Sequence, residues 1–218
     1  RPSSININNW QNYVSENGEP RFKIIVEGAN LFITQQARLR LEEKGVIIYK
    51  DASANKGGVT SSSLEVLASL ALSDEEFDQQ MCVKNGLVPE FRRKYIEQIL
   101  AIIRENASLE FDIIWKENKA KGIPRAVLTD LISDKINQIK DAVNKSDLFS
   151  NKALVKKVCV CGCPPALLDL VGHDKLLKRL PAKYMKAVFA SRLAGQYVYK
   201  YGLDANEINF YEFLKEFN

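Results

Sequence analysis

The sequence is sparing in the residues that mark several functional classes. It holds a single histidine, His173, and four cysteines, Cys82, Cys159, Cys161 and Cys163. That is too little for a disulfide framework, and with no secretory feature the thiols are expected to be reduced. Three of the cysteines fall in Val-Cys-Val-Cys-Gly-Cys-Pro-Pro, a C-x-C-x-C spacing rather than the paired C-x-x-C of structural zinc sites, so no metal is expected. Apolar runs are short, and no membrane span is expected. The opening Arg1-Pro2-Ser3-Ser4 is neither a signal peptide nor an initiator methionine, which points to a piece of a longer chain. What is present is ordinary for a globular protein: 218 residues, 46% hydrophobic and 27% charged. That excludes a disordered or collagen-like chain.

Net charge is only +4, too weak to argue for a polyanionic partner. It is unevenly spread. Residues 1–90 hold 9 basic and 12 acidic side chains, whereas residues 91–218 hold 22 and 15. The shift from −3 to +7 supports a boundary near residue 85.

The first part alternates strand and helix. Phe22-Lys23-Ile24-Ile25-Val26 is a β-branched run suited to a strand buried on both faces. It stops at Glu27-Gly28-Ala29-Asn30. Thr34 can cap a helix to about Lys44, with Gly45 as its stop. Val46–Tyr49 reads as a second strand, residues 50–58 as a loop, and Thr60-Ser61-Ser62-Ser63 as the opening of a helix to about Leu72. This order implies parallel strands joined by a crossover. Both loops then lie at the carboxyl edge of the sheet, where ligands bind. Asn30 and Asn55 should therefore approach each other although distant in sequence. Gly57 and Gly58 allow a close backbone approach, and hydroxyls at a helix N-terminus favour an anion.

Together these segments resemble the glutamate dehydrogenases. That family shows a strand ending in E-G-A-N, then about two dozen residues, then N-x-G-G-V-x-x-S and a helix containing glutamate. Here the text is Ile25-Val26-Glu27-Gly28-Ala29-Asn30, then Asn55-Lys56-Gly57-Gly58-Val59-Thr60-Ser61-Ser62, with Glu65 following. Two departures from the small members, Leu31-Phe32-Ile33-Thr34 after E-G-A-N and Lys56 in place of alanine, narrow the resemblance. So does the stretch from Leu180-Pro181 to Tyr201-Gly202, which is similar to the end of the large, NAD-specific enzymes of fungal type.

The resemblance implies an α/β fold class: a partial Rossmann-like parallel sheet, the end of an NAD-binding domain, followed by an all-α C-terminal region. Residues 1–85 would close the dinucleotide domain and 86–218 form a helical extension. It implies that Asn30 lies beside the nicotinamide or its ribose, that Asn55 contacts the same end of NAD, and that Gly57 and Gly58 let the backbone come close. Ser62 would hydrogen-bond the side-chain carboxylate of L-glutamate. The implied reaction is oxidative deamination to 2-oxoglutarate and ammonium, in a homo-oligomer, with the cytoplasm as the expected compartment and the mitochondrial matrix as the alternative. The catalytic lysine and aspartate of the family, and its G-x-G-x-x-G turn, do not occur in this stretch. The chain by itself is therefore expected to be inactive. The alternative is a non-catalytic helical module for regulation or oligomerisation.

Beyond residue 88 the pattern is helical, with expected helices over 89–105, 106–121, 124–144, 152–160, 165–171, 181–202 and 204–213. The last long one carries Tyr184, Val188, Phe189, Leu193, Tyr197 and Tyr201 as its stripe. Arg92-Arg93-Lys94 and Lys183, Lys186, Arg192 and Lys200 read as solvated helix faces rather than as a nucleic-acid surface.

Overall fold

The structure is a computed structural model that describes residues 1–217. Two compact units form, one of residues 1–57 with 107–134, the other of residues 58–106 with 135 onward.

In the first unit β1 (Ile24–Val26) and β2 (Ile47–Tyr49) pair in parallel, with Ile24 opposite Ile47 and Val26 opposite Tyr49. Helix α1 (Gln35–Glu43) makes the connection between them. The Thr34 side chain accepts the Ala37 N–H at 3.4 Å, and Gly45 ends the segment at φ +87°, a conformation open to glycine. Ile48 and Tyr49 are buried, and Tyr49 stacks on Phe111 with ring centroids 4.6 Å apart. The expectation that the first strand is buried on both faces is not met: Ile24 is 59% and Val26 64% exposed. The physical reason is that Ile24 and Val26, two residues apart, project from the same face of the strand, and that face is left uncovered among the described residues.

The expected loop over 50–58 is mostly helical. A single turn, α2 (Asp51–Ala54), follows β2 directly, and α3 (Gly57–Ala71) opens at Gly57. Gly57 and Gly58 have no positive φ, so they form the first turn of a helix rather than a glycine turn. The hydroxyl run Thr60–Ser63 consequently lies inside the helix. Asp51 explains the early start, because its acidic side chain suits the positive end of a helix.

The second unit is built from helices. The segment α4 (Asp74–Gln80) is closed by a capping box in which Ser73 accepts the Glu76 N–H at 3.2 Å and Glu76 accepts the Ser73 N–H at 2.9 Å. The two helices expected over 89–105 and 106–121 are one, α5 (Glu90–Lys121), of 32 residues, which belongs to the second unit up to Asn106 and to the first from Ala107. Asn106-Ala107-Ser108 contains neither glycine nor proline, and asparagine and serine cost a helix at most about 0.7 kcal/mol each. The helix ends where expected, before Gly122 at φ +68°. Helix α6 (Arg125–Lys145) follows. In the first unit its N-terminus is capped by Glu42, whose carboxylate accepts the N–H groups of Arg125 at 2.9 Å and Ala126 at 3.2 Å.

The remaining helices are α7 (Lys152–Cys161), α8 (Pro165–Val171), α9 (His173–Arg179), α10 (Ala182–Tyr201) and α11 (Glu207–Leu214). The stripe of α10 is borne out at its centre, where Phe189, Leu193 and Tyr197 are fully buried. A core of Leu64, Leu67, Tyr95, Leu167 and Leu176 joins α3, α5, α8 and α9, and each buried leucine contributes about 1.5–3 kcal/mol. Tyr95 keeps its hydroxyl satisfied by donating to the Leu64 carbonyl at 2.6 Å. No described helix is long and apolar enough to cross a membrane.

Candidate functional site

Parallel pairing sends the chain out of β1 and β2 at the same edge of the sheet. There the side chains of Asn30 and Asn55 meet: the Asn55 Nδ2 donates to the Asn30 Oδ1 at 2.7 Å across 25 residues of sequence. Both residues are exposed. The bond leaves the Asn30 amide hydrogens and further lone pairs on the Asn55 oxygen for an outside partner. An amide donor beside an amide acceptor is the complement of a carboxamide or a ribose hydroxyl, so the donor set fits the nicotinamide end of NAD. Gly28 keeps space at this edge: a Cβ built on it meets no protein atom within 4 Å, so it is not glycine because of packing within the chain. Gly58, in the second unit, is likewise open.

The edge rests on a buried cluster of charges. Arg38 of α1 binds Glu27 in a fork, Nε to Oε1 at 2.7 Å and Nη2 to Oε2 at 2.8 Å. The same Nη2 lies 3.4 Å from Asp51 Oδ1. All three residues are nearly fully buried. Burial by itself would lower the Arg38 pKa, but its bond to Glu27 and the charges of Glu27 and Asp51 reverse the effect and raise it. Asp51 Oδ2 accepts the Leu31 N–H at 2.6 Å and so secures the residue next to Asn30.

Lys56 also finds a role in the fold. Its ammonium lies 2.6 and 2.5 Å from the two oxygens of Glu110, a buried carboxylate on α5. The lysine that departs from the small-enzyme pattern therefore neutralises a charge that would otherwise be buried at a cost.

Ser62 belongs to the second unit and is exposed on α3, as is Glu65. The neighbouring Ser61 hydroxyl donates back to the Gly58 carbonyl at 2.9 Å. Because α3 opens at Gly57, the hydroxyl run is not a cap.

The cysteines divide by burial. Cys159 and Cys163 are buried, and desolvation pushes their thiols up to about 11 and about 12. Cys161 is exposed. Among the described residues no group of three or more His, Cys, Asp or Glu side chains is placed to hold a metal ion. Two of the arginines expected on solvated faces turn inward instead. Arg92 donates to the Met81 carbonyl at 2.8 Å and Arg192 to the Cys161 carbonyl at 2.7 Å. Each satisfies a carbonyl at the end of a helix, where cations are favoured.

Sequence reasoning missed Arg38, Asp51 and Glu110 as members of the site's support. Arg38 left a signal: it shares the buried stripe of α1 with Ala37 and Leu41, an odd place for a charge unless a partner waits there. Glu110 left none, since its partner Lys56 is 54 residues away.

A family model for glutamate/leucine/phenylalanine/valine dehydrogenases matches residues 1–122. Over nearly the whole chain the sequence is similar to "Glutamate dehydrogenase 2" of Dictyostelium discoideum, at 54% identity over 215 residues covering 99% of the chain and 21% of that protein. It is 44% identical over 217 residues to the "NAD-specific glutamate dehydrogenase" of Neurospora crassa, covering 99% of the chain and 21% of that protein. To the "NAD-specific glutamate dehydrogenase" of Saccharomyces cerevisiae it is 39% identical over 219 residues, with 98% and 20% covered. The chain thus spans about a fifth of the length of these relatives. No solved structure matches it. With more than half of its residues accounted for by the family model, the chain belongs to the glutamate/leucine/phenylalanine/valine dehydrogenase family.

Proposed function

We propose that the chain is a C-terminal portion of a large NAD-dependent glutamate dehydrogenase, which deaminates L-glutamate oxidatively to 2-oxoglutarate and ammonium. The observation that carries the reading is the 2.7 Å hydrogen bond between the side-chain amides of Asn55 and Asn30, in a chain whose relatives bear that name. NAD, when bound, is the hydride acceptor. The two amides would hold its nicotinamide end, Asn30 offering N–H and Asn55 offering oxygen. Gly57 and Gly58, at the start of α3, would let the backbone come close to it. Ser62 would donate its hydroxyl to the side-chain carboxylate of glutamate. None of these groups moves a proton in the reaction; their part is binding and orientation, which converts two free reactants into one aligned pair. The acid–base lysine and aspartate lie outside this stretch in the proposed enzyme.

The rest of the reading follows the same line. Residues 1–85 would complete a Rossmann-like dinucleotide domain whose sheet extends beyond β1 and β2, and residues 86–218 would be the helical extension. The enzyme would be a homo-oligomer in the cytoplasm, or alternatively in the mitochondrial matrix.

Ser62→Ala in the intact dehydrogenase tests the substrate side of the proposal. The expected outcome is a glutamate KM raised about tenfold with NAD KM little changed, the worth of roughly one hydrogen bond to a charged group. The isolated chain, run as a control, is expected to give no turnover. An unchanged glutamate KM, or turnover by the isolated chain, would overturn the assignment.

A further inference from the structure

We propose that Asp51 is a positioning residue that sets the asparagine pair. The inference rests on the reading that Asn30 and Asn55 meet the cofactor, and it adds a residue that the motifs do not contain.

Asp51 is bonded to both arms of the edge. Its Oδ2 accepts the N–H of Leu31, the residue after Asn30, at 2.6 Å. Its main-chain carbonyl accepts the N–H of Asn55 at 2.8 Å. The amides of Asn30 and Asn55 then close a ring at 2.7 Å. Leu31 sits at φ +58°, an uncommon conformation for a residue with a Cβ. The carboxylate of Asp51 holds that conformation. Without it the peptide joining Asn30 to Leu31 is free to turn, and the Asn30 side chain turns with it.

The carboxylate itself has little freedom. It is buried, with Oδ1 accepting the Ala52 N–H at 2.8 Å and lying 3.4 Å from Arg38. Arg38 is in turn pinned to Glu27 by two further bonds. The chain of contacts therefore runs from α1 through the charge cluster to the two amides. Removing Asp51 leaves Arg38 paired with Glu27, so Asp51→Ala takes the cluster from one net negative charge to none and leaves no lone cation. The variant is expected to fold.

The experiment uses the intact dehydrogenase with Asp51→Ala, Asn30→Ala and the double variant, measuring NAD KM at saturating glutamate and glutamate KM at saturating NAD. Expected is a rise of about tenfold in NAD KM for each single variant, with glutamate KM within about twofold of the parent. In the Asn30→Ala background Asp51→Ala should add less than about twofold, because both act through one side chain. A merely structural aspartate would multiply its effect on top of Asn30→Ala, and that result overturns the inference. So does an unchanged NAD KM for Asp51→Ala when Asn30→Ala raises it. If Asn30→Ala itself leaves NAD KM unchanged, the cofactor reading fails and takes this inference with it. Should Asp51→Ala not fold, Asp51→Val is judged by the same criteria, since it also removes the acceptor of the Leu31 N–H and leaves Arg38 paired with Glu27.

Discussion

The two compact units bury different chemistry. The buried polar and charged side chains of the described residues, Glu27, Arg38, Asp51, Ser53, Glu110, Glu117 and Thr129, all belong to the first unit. The second unit buries aliphatic, aromatic and thiol groups, as in the cluster around Leu67, Tyr95 and Leu167. Apolar burial stabilises in proportion to area and has no direction. Buried polar groups cost several kcal/mol unless each meets a partner at a set distance and angle (about 2–7 kcal/mol for an unpaired neutral group). A cluster of them therefore tolerates one arrangement. That is what a pair of amides needs from its support, and it is where the first unit departs from ordinary packing. Ser53 bonded to Thr129 at 2.9 Å and Glu42 capping α6 belong to the same economy of directed contacts.

The comparison is most sharply tested by removing the cation at the centre of the first unit. Arg38→Met leaves Glu27 and Asp51 buried without a counter-charge, and unfolding in urea should show a loss of about 3–5 kcal/mol. In the intact enzyme the same change should raise NAD KM. Leu193→Ala in the second unit should cost a similar amount, about 2–5 kcal/mol, through a cavity. It should leave NAD KM unchanged per folded molecule. Equal effects of the two variants on NAD KM would erase the distinction between the units.

A smaller effect is expected at Lys56. Its side chain is 40% exposed, so water offsets part of the loss when it is removed. Lys56→Ala should cost about 2 kcal/mol by removing a counter-charge from the buried Glu110, below the range for a fully buried pair. Adding Glu110→Leu should restore most of it, since no charge is then left buried. A double variant no more stable than Lys56→Ala would show that Glu110 is not the reason for the lysine.

The smallest effect concerns the thiols of the second unit. At pH 8 Cys161 should react with a thiol reagent while Cys159 and Cys163 stay protected, because burial holds them protonated. Their pKa values rise on folding from 9.0 to about 11 and about 12. Unfolded chains release these protons first, so stability should fall as pH rises from about 9 towards 12. Rapid labelling of Cys159 and Cys163 along with Cys161 in the folded chain would contradict the packing around α7.

Much of this was legible in sequence because the signals were local. Thr34 and Gly45 mark the ends of α1, and two short β-branched runs separated by one helix imply parallel pairing, which brings Asn30 and Asn55 together. Helix α10 shows its stripe by spacing alone. What escaped depends on distant partners or on a balance of weak preferences. The continuity of α5 turns on Asn106 being too weak a breaker. The start of α3 at Gly57 turns on two glycines being tolerated in a first turn, where they read as a loop. Exposure of β1 depends on what covers the face carrying Ile24 and Val26, which no run of residues encodes. Glu110 is read only once Lys56 is seen to reach it. The capping box Ser73-Asp74-Glu75-Glu76 is local as well, and its letters suffice to start α4.

The central claim is that the Asn30 and Asn55 amides act as one unit toward NAD. A double-mutant cycle of Asn30→Ala and Asn55→Ala in the intact dehydrogenase measures this directly through NAD KM. Each single change should raise it about tenfold, and the double should rise well short of the product, with glutamate KM nearly constant. A double variant whose NAD KM rises by the full product of the two single effects would contradict the account.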